Sequence, residues 1–334
     1  MQHPPLDPFA SGYLDRPDGA RLYWELSGNP AGRPALYLHG GPGGGLGRGG
    51  YRRRFDPRSH LIIGLDQRGC GRSTPWAADD LATLETQTMT HLLDDLEALR
   101  EHLSVDRWLL HGVSWGSTLA LAYALEYPQR VSEVVNLAVT SGGRWEIDWI
   151  TDGMQPVFPE AHARLREPLR ADERTIEGYA RLLRDPDPAV RSDAGDRWDE
   201  WEATHMSLGP LAGPGPYLHD DPRQRRNFAT LVTHYWARDC FLPGDRAVLA
   251  RIGELSGIPG VLVHGRRDIS GPARTAWQLH RSWPGSRLEI VEEDGHGGPR
   301  SAQIAQDAMD AFARDDPRSD RRRGRKLLTL ASPE

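Results

Sequence analysis

Three residues have the clearest capacity for covalent chemistry: Ser114, Asp268 and His296. Ser114 is the centre of Gly112-Val113-Ser114-Trp115-Gly116, between the apolar run RWLLHGV and the small-residue run WGSTLALAYALEYP, which stops near Pro128. A strand, a sharp turn and a helix in that order leave a serine hydroxyl exposed at the strand end, and glycines on either side let the chain turn that tightly. The helix N-terminus behind Ser114 favours developing negative charge. A serine nucleophile needs a base. His296, in GHGG, follows the strand-like RLEIVEEDG, and Asp268, in GRRD, follows VLVHG. Both fall at strand ends, where a parallel sheet gathers residues distant in sequence. The chain order Ser, Asp, His fits such a sheet. His296 is expected to take the Ser114 proton, with Asp268 orienting the ring and stabilising the imidazolium. Asp294 is a rival acid, whereas His264, inside a strand-like run, and His280, inside a helix-like one, are poorer bases.

The loop LHGGPGGG, residues 38–45, meets the remaining need of acyl transfer, because glycines let backbone N–H groups approach a reacting carbonyl. The backbones of Gly41 and Trp115 are the expected oxyanion donors. No Lys-Ser/Thr pair follows this loop and its proline lacks a donor, so a phosphate cradle is not expected; the dinucleotide fingerprint with its distal acid is also missing. There is no HExxH or close Cys/His cluster, and Cys70 and Cys240 have no metal-ligand spacing and need not form a disulfide. The expected chemistry uses no cofactor and no metal.

These residues must be carried by a suitable frame. The runs RLYWELSG, PALYLHG, HLIIGLD, RWLLHGV and VSEVVNLAV read as strands, with RLYWELSG as an early edge strand. TMTHLLDDLEALREHL places Leu92, Leu96, Leu99 and Leu103 along one helical stripe. Strands alternating with helices predict a mainly parallel sheet covered on both faces. From Gly143 the pattern changes: residues 144–242 hold five of the eleven tryptophans and helix-like pieces such as PEAHARLREPLR, RTIEGYARLLR and RWDEWEATHM, with no parallel-strand run. Alternation resumes with GVLVHGRRD, PARTAWQLHRSW, SRLEIVEEDGHGG and a final helix around SAQIAQDAMDAFAR. The predicted division is 1–143, first part of the core; 144–242, a helical insertion; and 243–334, second part of the core with a basic tail, RSDRRRGRKLLTLASPE.

The 334 residues include 41 Lys and Arg against 47 Asp and Glu, a formal charge of −6. That balance gives no general electrostatic reason to bind nucleic acid. No run approaches the roughly 18 consecutive apolar residues of a membrane helix. The N-terminus lacks a basic segment followed by an apolar one. The expectation is a cytoplasmic protein with no membrane partner.

With these residues in view, the chain resembles the proline iminopeptidase (prolyl aminopeptidase) family of the α/β-hydrolases over roughly residues 10 to 315. The resemblance is carried by HGGPGGG at 39–45, DQRGCGRS at 66–73, SWGSTLALAYALEYP at 114–128, GRRD at 265–268 and GH at 295–296. It implies an α/β-hydrolase fold, a mainly parallel eight-stranded sheet with a helical cap inserted after the sixth strand. It also implies a cofactor-free serine exopeptidase that releases N-terminal proline from short peptides through an acyl-enzyme: Ser114 acylates, His296 shuttles the proton and Asp268 supports it. The Gly41–Pro42 bond is a candidate for cis. Asp66 and Arg68 are expected to pair and hold adjoining loops, and Glu202, in WDEWEATH, to meet the substrate's ammonium.

The match departs in places. ATLVTHYW, residues 229–236, resembles the family stretch that ordinarily supplies a second acidic anchor, and Val232 stands at that position. His111-Gly112-Val113 replaces the more usual residues before the nucleophile, and LAVTSGGR replaces the usual Leu-Arg-Gly strand ending. These departures admit an alternative: a specialised serine amidase or esterase acting on a modified proline, another small amino acid or a secondary-metabolite intermediate. Of Trp145, Trp149, Trp198, Trp201 and Trp236, about two are expected to touch substrate, the others binding cap helices together. The partner is a short peptide or a small amide or ester, and a homo-oligomer is left open.

Overall fold

The computed structural model describes residues 3–206 and 217–314; the basic tail read from the sequence lies outside them. Eight strands form one sheet: β1 (Ala10–Asp15), β2 (Arg21–Gly28), β3 (Arg33–Leu38), β4 (His60–Leu65), β5 (Trp108–Val113), β6 (Val131–Leu137), β7 (Gly260–Gly265) and β8 (Ser286–Val291). Their order is β1-β2-β4-β3-β5-β6-β7-β8. The pairs β1·β2 and β2·β4 are antiparallel, and every other pair is parallel.

One expectation is corrected here. RLYWELSG is β2, and the edge is β1, ASGYLD, whose residues alternate between half-buried and exposed. With one face in solvent, β1 has too few apolar residues to stand out as a strand. The central β5, by contrast, is buried on both faces except at Val113 and reads as a continuous apolar run.

The helices are α1 (Met89–His102), α2 (Trp115–Glu126), α3 (Arg144–Asp148), α4 (Pro159–Arg166), α5 (Thr175–Leu182), α6 (Pro188–Met206), α7 (Pro222–Trp236), the four-residue α8 (Val248–Arg251), α9 (Arg274–Ser282) and α10 (Pro299–Arg314). α1 begins where the Thr88 hydroxyl accepts from the His91 N–H. Its Leu92, Leu96 and Leu99 are buried with Leu119 and Leu121 of α2 in one apolar cluster. A second cluster joins Ala305 and Met309 of α10 to Val135 and Val261 of the strands. The sheet thus has a core on each face, each fully buried leucine contributing about 1.5–3 kcal/mol.

Among the described residues, the chain between β6 and β7 contains helices and turns but no strand. Side chains tie this segment to the sheet half. Asn227 of α7 donates to the Gly69 carbonyl and accepts from the Ala78 N–H, both at 2.9 Å. Trp149 Nε1 donates to the Ile269 carbonyl at 2.8 Å, beside Asp268.

Candidate active site

Ser114 sits between β5 and α2 with φ 55° and ψ −124°, a backbone conformation that L-residues rarely adopt. The surroundings hold it there. Its N–H donates to the Leu137 carbonyl, and its carbonyl accepts from the Ser117 N–H, the Ser117 hydroxyl and the Thr140 hydroxyl. A Cβ on Gly112 would lie 2.2 Å from the Gly116 carbonyl oxygen, and one on Gly116 would lie 2.0 Å from that of Leu38. The two flanking glycines are therefore required by the close approach of β5, α2 and β3.

β7, beyond β6 in the sheet, delivers Asp268 in the turn after its end; the turn after β8 delivers His296. His296 Nε2 is 3.0 Å from Ser114 Oγ, and His296 Nδ1 is 2.8 Å from Asp268 Oδ2. Asp268 Oδ1 accepts from the Gly271 N–H at 3.0 Å. Asp294, the rival acid, instead accepts from the Ser301 N–H at 2.6 Å at the start of α10. His280 contacts Ser286. His264 supports the acid loop: its Nδ1 accepts from the Val139 N–H at 3.0 Å, so Nε2–H donates to the Gly271 carbonyl at 2.6 Å, and Nε2 lies 3.6 Å from Asp268 Oδ2.

The electrostatics follow this geometry. Burial alone would lower the pKa of His296, but the charge and hydrogen bond of Asp268, with a further contribution from Glu202, raise it above its ordinary value. Burial pushes the Asp268 carboxyl up, and the charge and hydrogen bond of His296, with His264 and the Gly271 N–H, bring it below its ordinary value. The pair favours an anionic Asp268 beside an imidazole that readily accepts a proton.

Gly41 and Trp115 border the same cavity as Ser114 and His296. The Gly41–Pro42 bond is cis. The glycine loop is fixed from below by His39 and Gln67, whose roles were not legible in the sequence. His39 Nε2 accepts from the Gln67 N–H at 3.1 Å, and Nδ1 lies 3.1 Å from the Gly45 nitrogen and 2.9 Å from the Gly40 carbonyl oxygen. The Gln67 side chain donates to the His39 carbonyl and accepts from Trp115 Nε1 at 2.9 Å, joining the loop to the first residue of α2.

Asp66 and Arg68 do not pair with each other. Asp66 accepts from Arg72 Nε at 2.8 Å and from the Leu46 N–H at 2.5 Å, whereas Arg68 forks onto Asp95 of α1 with two bonds of 2.7 Å and reaches Asp18. The expectation that both hold loops in place stands with different partners. Cys70 and Cys240 are both free and buried.

The cavity measures about 610 Å³, including the part open to solvent. Glu202 lines it, with its Oε1 accepting from Trp198 Nε1 at 3.1 Å. Of the five tryptophans considered from the sequence, only Trp236 is among the described lining residues; Trp198 and Trp201 are packing residues, fully or almost fully buried. Val232 is wholly buried in the apolar core and is not part of that lining. Two lining groups that the sequence did not single out are Glu146 and His205. Burial raises the Glu146 carboxyl above its ordinary value, and the group is occupied by the N–H and hydroxyl of Ser141 and by the Gly143 N–H.

The sheet order, the turn at Ser114 and the Ser-His-Asp chain define an α/β-hydrolase, and the family model for the alpha/beta hydrolase fold matches residues 34–298. Solved structures agree at the level of fold. An esterase from Exiguobacterium antarcticum superimposes with a TM-score of 0.56 at 18% identity, covering 92% of this chain and 100% of that one. VinJ superimposes with a TM-score of 0.61 at 18% identity, covering 92% and 99%. Sequence relatives are nearer. A "Probable proline iminopeptidase" of Streptomyces coelicolor is 43% identical over 320 residues, 93% of this chain and 98% of that protein. Proline iminopeptidases of Arabidopsis thaliana and Xylella fastidiosa are 38% and 37% identical, covering 87% and 93% of this chain and 76% and 98% of theirs. The chain belongs to the proline iminopeptidase family.

Proposed function

We propose that this protein is a serine aminopeptidase that releases N-terminal proline from short peptides, with Ser114 as nucleophile, His296 as general base and acid, and Asp268 as its orienting partner. The observation that carries this reading is the chain of hydrogen-bonding distances from Asp268 Oδ2 through His296 to Ser114 Oγ, 2.8 and 3.0 Å. As Ser114 Oγ attacks the prolyl carbonyl, His296 Nε2 takes its proton and the imidazolium is held by Asp268. The resulting oxyanion faces the backbone N–H groups of Gly41 and Trp115, the latter opening α2, whose dipole favours negative charge there. His296 then protonates the departing amine. Water, deprotonated by His296, releases proline from the acyl-enzyme.

Glu202 supplies the anion for the substrate's ammonium. Helices of residues 144–242 serve as the cap that closes over the first residue of the peptide. Exopeptidase action follows, because the ammonium must reach Glu202 while the carbonyl reaches Ser114. The named relatives weigh against the alternative of a specialised amidase or esterase. A cytoplasmic location belongs to the same proposal; among the described residues no helix is long and apolar enough to cross a membrane.

The test is detection of free proline by mass spectrometry from Pro-Xaa and Pro-Xaa-Xaa peptides, with Ser114→Ala as control. Release by the wild type, absent in Ser114→Ala together with loss of fluorophosphonate labelling, is the expected result. Release that survives Ser114→Ala would remove the proposed nucleophile.

A further inference from the structure

Glu202 has a neighbour with an unspent nitrogen. His205, one turn further along α6, is buried and lines the cavity, and its Nε2 is 3.2 Å from Glu202 Oε2. That approach is too poorly aligned for a hydrogen bond, and among the described residues Nε2 has no other partner. A buried ring nitrogen left in this state is costly unless something else completes it. On its far side, His205 Nδ1 lies 2.8 Å from Ser270 Oγ, two residues after Asp268, and Ser270 Oγ lies 3.8 Å from Met206 Sδ.

We propose that His205 Nε2 and Glu202 Oε2 together form the seat for the substrate's secondary ammonium, the two acceptors taking one N–H each, with Ser270 setting the ring tautomer. This rests on the prolyl reading of the site above. The N-terminal proline of a peptide carries two N–H bonds on a cationic nitrogen, a demand met by two acceptors side by side. For Nε2 to accept, the ring hydrogen must stand on Nδ1. Ser270 permits that state because a hydroxyl can accept from Nδ1–H while turning its own hydrogen toward the Met206 sulfur. Glu146 is no substitute, since its oxygens are already engaged by Ser141 and Gly143.

The charge balance gives a reason for a neutral second acceptor. One carboxylate neutralises one ammonium. Glu202 already contributes to the raised pKa of His296. A second carboxylate in the same place would raise it further, although His296 must be neutral to deprotonate Ser114. With Val232 wholly buried outside the described lining, His205 takes the second position without adding charge.

The test compares wild type with His205→Phe, which keeps a ring but no acceptor, His205→Gln, which restores one, and Ser270→Ala. Two substrates are needed: Pro-β-naphthylamide and the nitrophenyl ester of cyclopentanecarboxylic acid, which has the ring and no ammonium. The selectivity for the prolyl amide, as a ratio of kcat/KM values, is expected to fall about 10- to 100-fold in His205→Phe, chiefly through KM, and to recover in part in His205→Gln. Ser270→Ala is expected to give a smaller fall of the same kind. Equal losses on both substrates, or an unchanged ratio, would overturn the assignment. Inhibition of ester hydrolysis by pyrrolidinium and N-methylpyrrolidinium separates this inference from the prolyl reading. Wild type should favour the ion with two N–H bonds, and His205→Phe should lose that preference even if prolyl amides prove not to be substrates. If prolyl amides are cleaved but the two ions inhibit wild type equally, the paired seat is wrong and the prolyl reading stands.

Discussion

His296 Nε2 lies 3.0 Å from Ser114 Oγ although the two residues are 182 positions apart in the chain. The contact is assembled by strands that are not neighbours in sequence: β5 ends just before Ser114, and the turn after β8 brings in His296 from beyond the helical segment. The proposed chemistry therefore depends on both halves of the sheet being in register.

The Asp268 contact should matter more to turnover than to folding. Asp268→Asn would offer an amide to His296 Nδ1 and favour the tautomer with hydrogen on Nε2, which cannot accept from Ser114. By analogy with other serine hydrolases, kcat is expected to fall about 10³- to 10⁴-fold with circular dichroism unchanged. A loss of less than about tenfold would mean that Asp268 does not set the tautomer.

The pH profile has a definite sign. His296 acts as base only when neutral, and its pKa is raised by Asp268 against the lowering effect of burial, with Glu202 adding to the rise. Activity should thus climb with pH through a midpoint above the ordinary imidazole value of about 6.5. Removing the Glu202 charge should lower that midpoint. The check is kcat/KM against pH on an ester without an ammonium, for wild type and Glu202→Gln; an upward shift in the variant would contradict the account.

Gly112 and Gly116 should not accept even a methyl group. The added Cβ would lie 2.2 or 2.0 Å from a backbone carbonyl oxygen, so backbone must move. Each Gly→Ala variant is expected to lose about 1–3 kcal/mol in urea denaturation and to label poorly with a fluorophosphonate. Wild-type stability and labelling in either variant would show that the turn is looser than this geometry.

Chelation should leave hydrolysis intact, because Asp268 and His296 are engaged with each other and with Ser114. Rates after incubation with a chelator, and after adding back zinc, are the measurement. A loss reversed by metal would displace the serine mechanism.

Much of this arrangement is legible in the sequence, for physical reasons. The buried strands β5 and β7 are almost uninterrupted apolar runs, and the glycines around Ser114 mark a turn that larger residues cannot make. The edge strand β1 carries no apolar signature because solvent accepts polar residues on one of its faces. Asp66 and Arg68, whose pairing the family resemblance implies, do not meet: Arg68 reaches across to Asp95 and Asp66 turns toward Arg72. Pattern at short range says little about which of several long polar side chains will be within reach. The His205–Ser270 contact, between residues 65 apart, likewise leaves no periodic trace. Neither does the support that His39 and Gln67 give to the glycine loop.

The central claim is that this site reads a free N-terminal proline. The most direct measurement is the initial rate on Pro-β-naphthylamide beside Ala-β-naphthylamide and N-acetyl-Pro-β-naphthylamide, with a short-chain nitrophenyl ester in the same series. The account predicts a marked preference for free proline that collapses on acetylation, while the ester is still turned over. Negligible cleavage of Pro-β-naphthylamide by enzyme that hydrolyses the ester or the acetylated amide would contradict it.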